Sequence, residues 1–385
     1  MDNIDIETDT GCDLLEDLPD EVSEADERNF LGLISTELTP KQREEIVIPP
    51  VVFPEQQNVL AVHWHPEHVP LDLIARRIDA TFPNKTDELI IPTQHNVLMR
   101  YNEWFGVEVD CYSTGFNQKV QLLLHFHHSK EEKAGVLKSM LTYTFKYRSQ
   151  QLFDYIETIV KPHRDRLEQA ARITGTDEKV IDLVINYVKH LVQLLERHRA
   201  AVSPEMLKNK LLRDFFDTLR PQYGHGTINR AQAFLRAVKE IVKADFPLQY
   251  FFRTSEIIEE ARCLGCGILV PHPEQFWPIL LAEYDLDGYE VWNPQSRKYT
   301  EFLISVVDRS NRRQGPSRRK MLLFMGDDTH LGEKLKDPSA QYPDKACREI
   351  GVHPAWDDLS IRKKMISAAM DRRQVIIEYR DRLLG

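Results

Sequence analysis

No apolar run in the sequence approaches the roughly 18–20 residues that a helix needs to span a bilayer, so no membrane-crossing helix is expected. The N-terminus also lacks the cationic start and apolar stretch of a secretory signal. Its first 28 residues hold twelve Asp/Glu and a single basic residue, Arg28. Cysteine is scarce. The five present, Cys12, Cys111, Cys263, Cys266 and Cys347, are an odd number with no disulfide spacing, which points to a reducing cytoplasm. A basic surplus is missing as well: 60 acidic against 50 basic residues give a net charge of −10. Beyond residue 28 the chain carries 48 acidic and 49 basic groups, so its body sits at +1. That balance argues against a strongly cationic nucleic-acid binder and against an acidic, halophile-like surface. No internal repeat is visible. The expectation is a soluble cytoplasmic protein with no membrane partner.

What is present divides into three textures. Residues 1–28, dense in carboxylates and poor in aromatics, read as a disordered tail. Residues 29–57 end in IPPVVFPEQQN, a segment suited to lying over a surface. From residue 58 short apolar runs appear, at 58–62, 88–91, 105–110, 120–126, 267–271, 287–292 and 321–325. Runs of this length without strict alternation suit strands buried on both faces, as in a parallel α/β sheet or barrel. Between 129 and 262 apolar residues instead recur at helical spacing, near 150–172, 177–200, 204–220 and 228–244. The second of these carries Val180, Leu183, Val184, Tyr187, Val188, Leu191 and Leu195, with Asp177 as its cap and Gly175 ending the helix before it. The expected organisation is an α/β domain in two parts, 29–128 and 263–385, the second ending in C-terminal helices. An all-helical insertion, 129–262, separates them.

Fourteen histidines occur, and their placement is more informative than their number. His63 and His65 form H-x-H directly after the strand 58–62, and on an extended chain residues i and i+2 face one way, so both imidazoles can reach one metal. His68 follows three residues on. His95 lies just past 88–91, Glu108 sits in GVEVD, and His125 and His127 form a second H-x-H at the end of 120–126. His272 ends 267–271, and Asp328 with His330 forms D-x-H after 321–325. One histidine at a strand end is ordinarily a polar exit residue. Six strand ends each bearing His, Glu or Asp point to a polynuclear metal site, because parallel strands bring their carboxyl ends to one mouth.

The stretches VHWH, IIPTQH, GVEVD, GILVPHPEQFW, DGYEVWNPQSR and GDDTH resemble, in order, the motifs of the PHP (polymerase and histidinol phosphatase) superfamily. The resemblance spans residues 58–332 and is loose between Ser129 and Arg262. It implies a distorted seven-stranded (β/α) barrel that holds two or three Zn, Mn or Fe ions and hydrolyses phosphoesters. Carried over, it implies His63, His65, Glu108 and Asp328 around one ion. Glu108 would bridge to a second ion held by His272 and by His127 or His125, and a third would use His95, His330 and His68. Gln94 stands where the family has an Asp, and His125, His127 and His128 compete for the fourth-strand ligand.

The donor types carry chemistry without the family. Imidazoles and carboxylates suit Zn, Mn or Fe and disfavour Mg or Ca. Two such ions close together activate a bridging hydroxide for in-line attack on phosphorus. His330 or His95 is then expected to donate a proton, with Asp328 also counted in the catalytic group. Arg297 is expected to meet the substrate phosphate. Tyr289, Trp292 and Trp277 are either walls of that mouth or ordinary packing. The basic run Arg309, Arg312, Arg313, Arg318, Arg319 and Lys320 reads as a solvated loop, and Cys263-x-x-Cys266 as packing. The expected substrate is a small phosphorylated molecule. The runner-up is a nuclease on short nucleic acid, which a +1 body disfavours, and a non-catalytic metal or nucleotide sensor is the third reading.

Overall fold

The computed structural model describes residues 18–314, 319–338 and 341–385. Two compact units emerge, one from residues within 1–36 and 146–247, the other from 37–145 and 248–385.

The first unit is helical. Its opening helix, Glu24–Ile34, starts with a reciprocal cap: the Ser23 hydroxyl accepts the Asp26 N–H, and the Asp26 carboxylate accepts the Ser23 N–H, both at 3.1 Å. This corrects the expected 28-residue tail. Phe30 and Ile34 are buried among the insertion's apolar residues, and Glu27 meets Arg197 at 3.1 Å and His198 at 2.6 Å. The rest of that tail, residues 1–17, lies outside the described residues. The expected helix 150–172 is two, Tyr147–Val160 and Arg164–Thr174, because Pro162 cannot continue the first. Gly175, at φ 66°, ends the second in the left-handed conformation that a glycine adopts without strain.

Asp177 caps Glu178–Arg197, its carboxylate accepting the Val180 N–H at 3.0 Å. That helix buries Val180, Leu183, Val184, Tyr187, Val188 and Leu191 as its periodicity predicts, with Leu194 rather than Leu195 completing the stripe. Burying each such side chain contributes about 1.5–3 kcal/mol before entropy is counted. The expected 204–220 helix shortens to Lys210–Asp217, and 228–244 lengthens to Arg220–Asp245, broken at Gly224.

The insertion is narrower than 129–262. The helices Gly135–Phe145 and Thr254–Cys263 belong to the sheet-bearing unit, whose core takes Leu137, Leu141, Ile257, Ile258 and Ala261.

Among the described residues that second unit holds ten strands: β1 Asn58–Ala61, β2 Trp64–His65, β3 Asp87–Ile90, β4 Met99–Tyr101, β5 Trp104–Ser113, β6 Gln118–His127, β7 Gly267–Val270, β8 Gly288–Trp292, β9 Leu322–Met325 and β10 Thr329–His330. β1 pairs with β3 and β10 with β2, both in parallel, while the remaining six form one sheet ordered β4-β5-β6-β7-β8-β9. Backbone joints link these sheets. Asn96 N–H donates to Glu108 O at 2.7 Å, Glu108 N–H to Gln94 O at 3.2 Å, and Asp328 N–H to His63 O at 2.9 Å.

One expectation about direction changes. β6 runs antiparallel to both neighbours, because only Thr114–Asn117 separate it from β5, too few residues for a crossover. Asn117 takes φ 51° in that turn. Both hairpin strands are ten residues long, longer than the sequence suggested. Among the described residues no helix is long and apolar enough to cross a membrane.

Candidate metal centre

The chain runs apolar through β1 to Val62 and then turns both His63 and His65, the latter in β2, inward, where they are fully buried. β3 delivers His95, and its bridge to Glu108 sets that carboxylate at the same level. The close approach requires Gly106 two residues earlier, since a Cβ there would lie 2.1 Å from the Pro92 carbonyl oxygen. β7 delivers His272, and the exit of β9 delivers Asp328 and His330. His272 and Asp328 adopt positive φ, 28° and 49°, a strained backbone that residues with a Cβ hold only when their surroundings force it.

Glu108 is the centre of the arrangement. Its Oε2 lies 2.7 Å from His95 Nδ1, 3.5 Å from His65 Nε2 and 4.0 Å from His63 Nε2, while Oε1 faces His272 Nε2 at 3.8 Å. Asp328 Oδ1 faces His65 and His330 at 3.3 Å each and His63 at 3.7 Å. His65 stacks between His95 and His330 with ring centroids 4.4 and 4.3 Å away. Two overlapping triads, His63–His65–Glu108 and His65–His95–His330, bring their donor atoms within 4.8 Å of one another.

These atoms pass a test of fit. His63 Nε2, His65 Nε2 and Glu108 Oε1 are buried and make no hydrogen bond, a costly condition that a divalent ion would relieve. Imidazole with carboxylate is also the donor set of borderline transition metals. Burial opposes charge on His63, yet Glu290, with Asp328 and Glu108, carries its pKa up to about 10. Burial likewise opposes charge on Glu108, but His95 and His272 hold its carboxyl well below the usual range. His65 is pushed well below its ordinary value by burial and then by His330 and His95.

Several supporting residues escaped the sequence reading. Glu290, 2% exposed in β8, places Oε1 2.8 Å from His63 Nδ1, and its Oε2 accepts the His272 N–H at 2.8 Å. Gly326 makes room for it, since a Cβ there would fall 1.3 Å from Oε1. Arg348 and Gln295 hold Asp328 Oδ2 at 2.7 and 2.9 Å, and Glu67 meets His330 Nδ1 at 3.4 Å. Glu290 left one readable signal, a lone carboxylate inside the apolar strand GYEVW.

Other expected residues lie elsewhere. Because β6 runs antiparallel to β7, its C-terminal end points away from the end of β7 that carries His272. His125, paired with Gly106, donates to or accepts from the Tyr379 hydroxyl at 2.8 Å, and burial, with His63 next, pulls its pKa down to about 3. His127, paired with Trp104, is further still from Glu108 and sits beside His128 and Glu103. Neither joins the central triads. His68 lies near the β10 exit, where a Cβ on Gly332 would come 3.3 Å from its ring, and it is in neither triad.

Arg297 is exposed, its guanidinium 6.0 Å from the Trp292 ring centre. It lines a recess of about 430 Å³ with Lys298, Pro354 and Asp358, and no residue of the histidine cluster lines that recess. Tyr289 and Trp292 are buried packing residues, and Trp277 rests edge-on against Tyr299 and Phe302. In the basic run, Arg312 pairs with Asp308, Arg319 with Asp287, and Lys320 donates to the Ala368 carbonyl. Arg318 lies outside the described residues. Cys263 and Cys266 are both free thiols, the second buried.

No protein-family description matches the chain, and no curated protein does. A solved structure from Bifidobacterium adolescentis, of a protein named as a candidate metal-dependent phosphoesterase, is similar at 16% identity with a TM-score of 0.36. The match covers 83% of this chain and 99% of that one, and at this TM-score it carries no argument about fold or activity.

Proposed function

We propose that the chain is a metal-dependent phosphoesterase of the PHP type, acting on a small phosphorylated molecule. The observation that carries this reading is the Glu108 carboxylate, with three imidazoles around one oxygen and a fourth facing the other. A carboxylate so placed can bridge two ions. His63, His65 and Asp328 would hold one, and His272 would meet the other. His95 and His330 flank His65 where a third would sit. Bound divalent ions supply Lewis acidity and a water of lowered pKa.

The chain's own residues do the rest. Glu290 fixes the ring of His63, Arg348 and Gln295 turn Asp328 Oδ1 toward the imidazoles, and His330 or His95 would protonate the leaving oxygen. We extend the proposal to the fold. The circuit β5-β6-β7-β8-β9, joined through His63–Asp328 to β1, then to β3 and through Gln94–Asn96 back to β5, is read as a distorted seven-stranded barrel.

The test is metal analysis of the purified protein, then assays on phosphomonoesters, phosphodiesters and short oligonucleotides with Mn or Zn. Turnover of monoesters, lost in His63→Ala/His65→Ala with the fold retained, supports the proposal. Release of nucleotides from oligomers would redirect it to a nuclease, and bound metal without hydrolysis to a sensor. Full activity in the double variant would refute it.

A further inference from the structure

The second H-x-H of the sequence, extended by His128, is left unused by the central cluster. The chain makes a two-residue turn, Asn102–Glu103, between β4 and β5, and Asn102 takes φ 51° to close it. β6 ends beside that turn, with His127 in register with Trp104, and the His128 N–H donates to the Glu103 carbonyl at 2.8 Å. Two segments are thus pinned together at the point where three side chains of metal-ligating type meet. Glu103, His127 and His128 each bring a donor atom within 4.8 Å of the others, and the two imidazole centroids are 4.3 Å apart.

We propose that Glu103, His127 and His128 form a peripheral site for a borderline divalent cation of the Zn²⁺ class, separate from the histidine cluster around Glu108. Two imidazoles, one carboxylate and a water complete a four-coordinate shell. Neighbouring donors in such a shell stand about 3.3 Å apart at normal Zn–N lengths, so small side-chain rotations close it. His127 Nδ1 lies 2.9 Å from Ser129 Oγ and accepts the Ser129 N–H at 3.3 Å; ligation through Nε2 would exchange that accepted bond for a ring N–H donated to the hydroxyl. Along β5, Trp104 is four residues from Glu108, roughly 13 Å at a strand's rise, too far for shared ligands. An ion there would clamp the β4–β5 turn to the exit of β6, whatever the chemistry of the central cluster.

Co²⁺ titrated into the full-length, chelator-treated protein tests it, read by visible d–d absorption and by bound metal per chain. The expected result is one fewer ion bound by His127→Ala/His128→Ala than by the parent. In the His63→Ala/His65→Ala background, which weakens the central cluster, the peripheral ion should remain. If the first double variant does not fold, Glu103→Gln keeps both imidazoles and should weaken one class of sites roughly tenfold or more. Unchanged stoichiometry and affinity in the His127/His128 variant, or in Glu103→Gln, would overturn the proposal, as would loss of all Co²⁺ from a folded His63→Ala/His65→Ala protein.

Discussion

Replacing Glu290 by Gln probes the centre without altering a residue of either triad. The carboxylate is buried and fully committed: Oε1 meets His63 Nδ1 at 2.8 Å, and Oε2 accepts from the His272 N–H at 2.8 Å and the Asn293 amide at 3.2 Å. A glutamine of the same shape cannot serve both sides. With its oxygen toward His63, its NH₂ faces two donors; flipped, its NH₂ faces His63 Nδ1 and forces the ring proton onto Nε2, the nitrogen aimed at Glu108 and Asp328. Either outcome weakens metal binding. Loss of such an outer partner typically costs 10–100-fold in affinity, about 1.4–2.7 kcal/mol. Competition against a chromophoric chelator measures it, with circular dichroism confirming the fold. A Glu290→Gln protein binding Zn²⁺ or Mn²⁺ within twofold of the parent would refute the reasoning.

Other expectations follow from the same geometry. Gly326→Ala forces a Cβ onto Glu290 Oε1 and should lower metal affinity at least as much as Glu290→Gln, by the same titration. Asp287 is fully buried among Arg262 at 2.6 Å, Arg319 and Arg382 at 3.3 Å each, and the Ile268 N–H; Asp287→Asn removes these charge-assisted bonds while Arg262 keeps Asp285 and Arg382 keeps Glu378, and should cost about 1.5–3 kcal/mol in urea unfolding. Burial opposes the Asp287 charge, but Arg262 and Arg382 outweigh it and lower its folded pKa. Its stabilisation is therefore present above the unfolded value of about 3.9 and disappears as pH falls through the lower folded one. The stability gap between parent and Asp287→Asn should shrink below that range. Asp177→Ala removes the cap on Val180 and should cost about 1 kcal/mol, read as a lowered melting temperature.

The seven apolar runs each correspond to a strand, since an apolar run flanked by turn residues is a local signal. Strand direction is not local. It hinged on Thr114–Asn117, where a short Gly- and Asn-containing segment closes a hairpin, and reading that turn would have moved His125 and His127 away from the mouth. His63, His65 and Asp328 were legible because they fall at strand ends in a repeated pattern, and Glu108 as a carboxylate within the apolar run of β5. Glu290, Arg348 and Gln295 were not, because their roles depend on contacts between residues far apart in sequence. The N-terminal helix was hidden by composition: its carboxylates resemble a solvated tail, and only the Ser23–Asp26 spacing betrays a cap.

The pairing of β2 with β10, and the Asp328 N–H donated to His63 O, set a clock on assembly. The histidine pair made early in synthesis meets partners such as the Glu67–His330 contact only across 263 residues. At ordinary translation rates that separation takes on the order of tens of seconds to emerge. A nascent chain can fold its hairpin and helices in that time, but it cannot present Asp328 or His330 to an ion. The full donor set of the cluster therefore closes only after the segment carrying Asp328 and His330 has emerged.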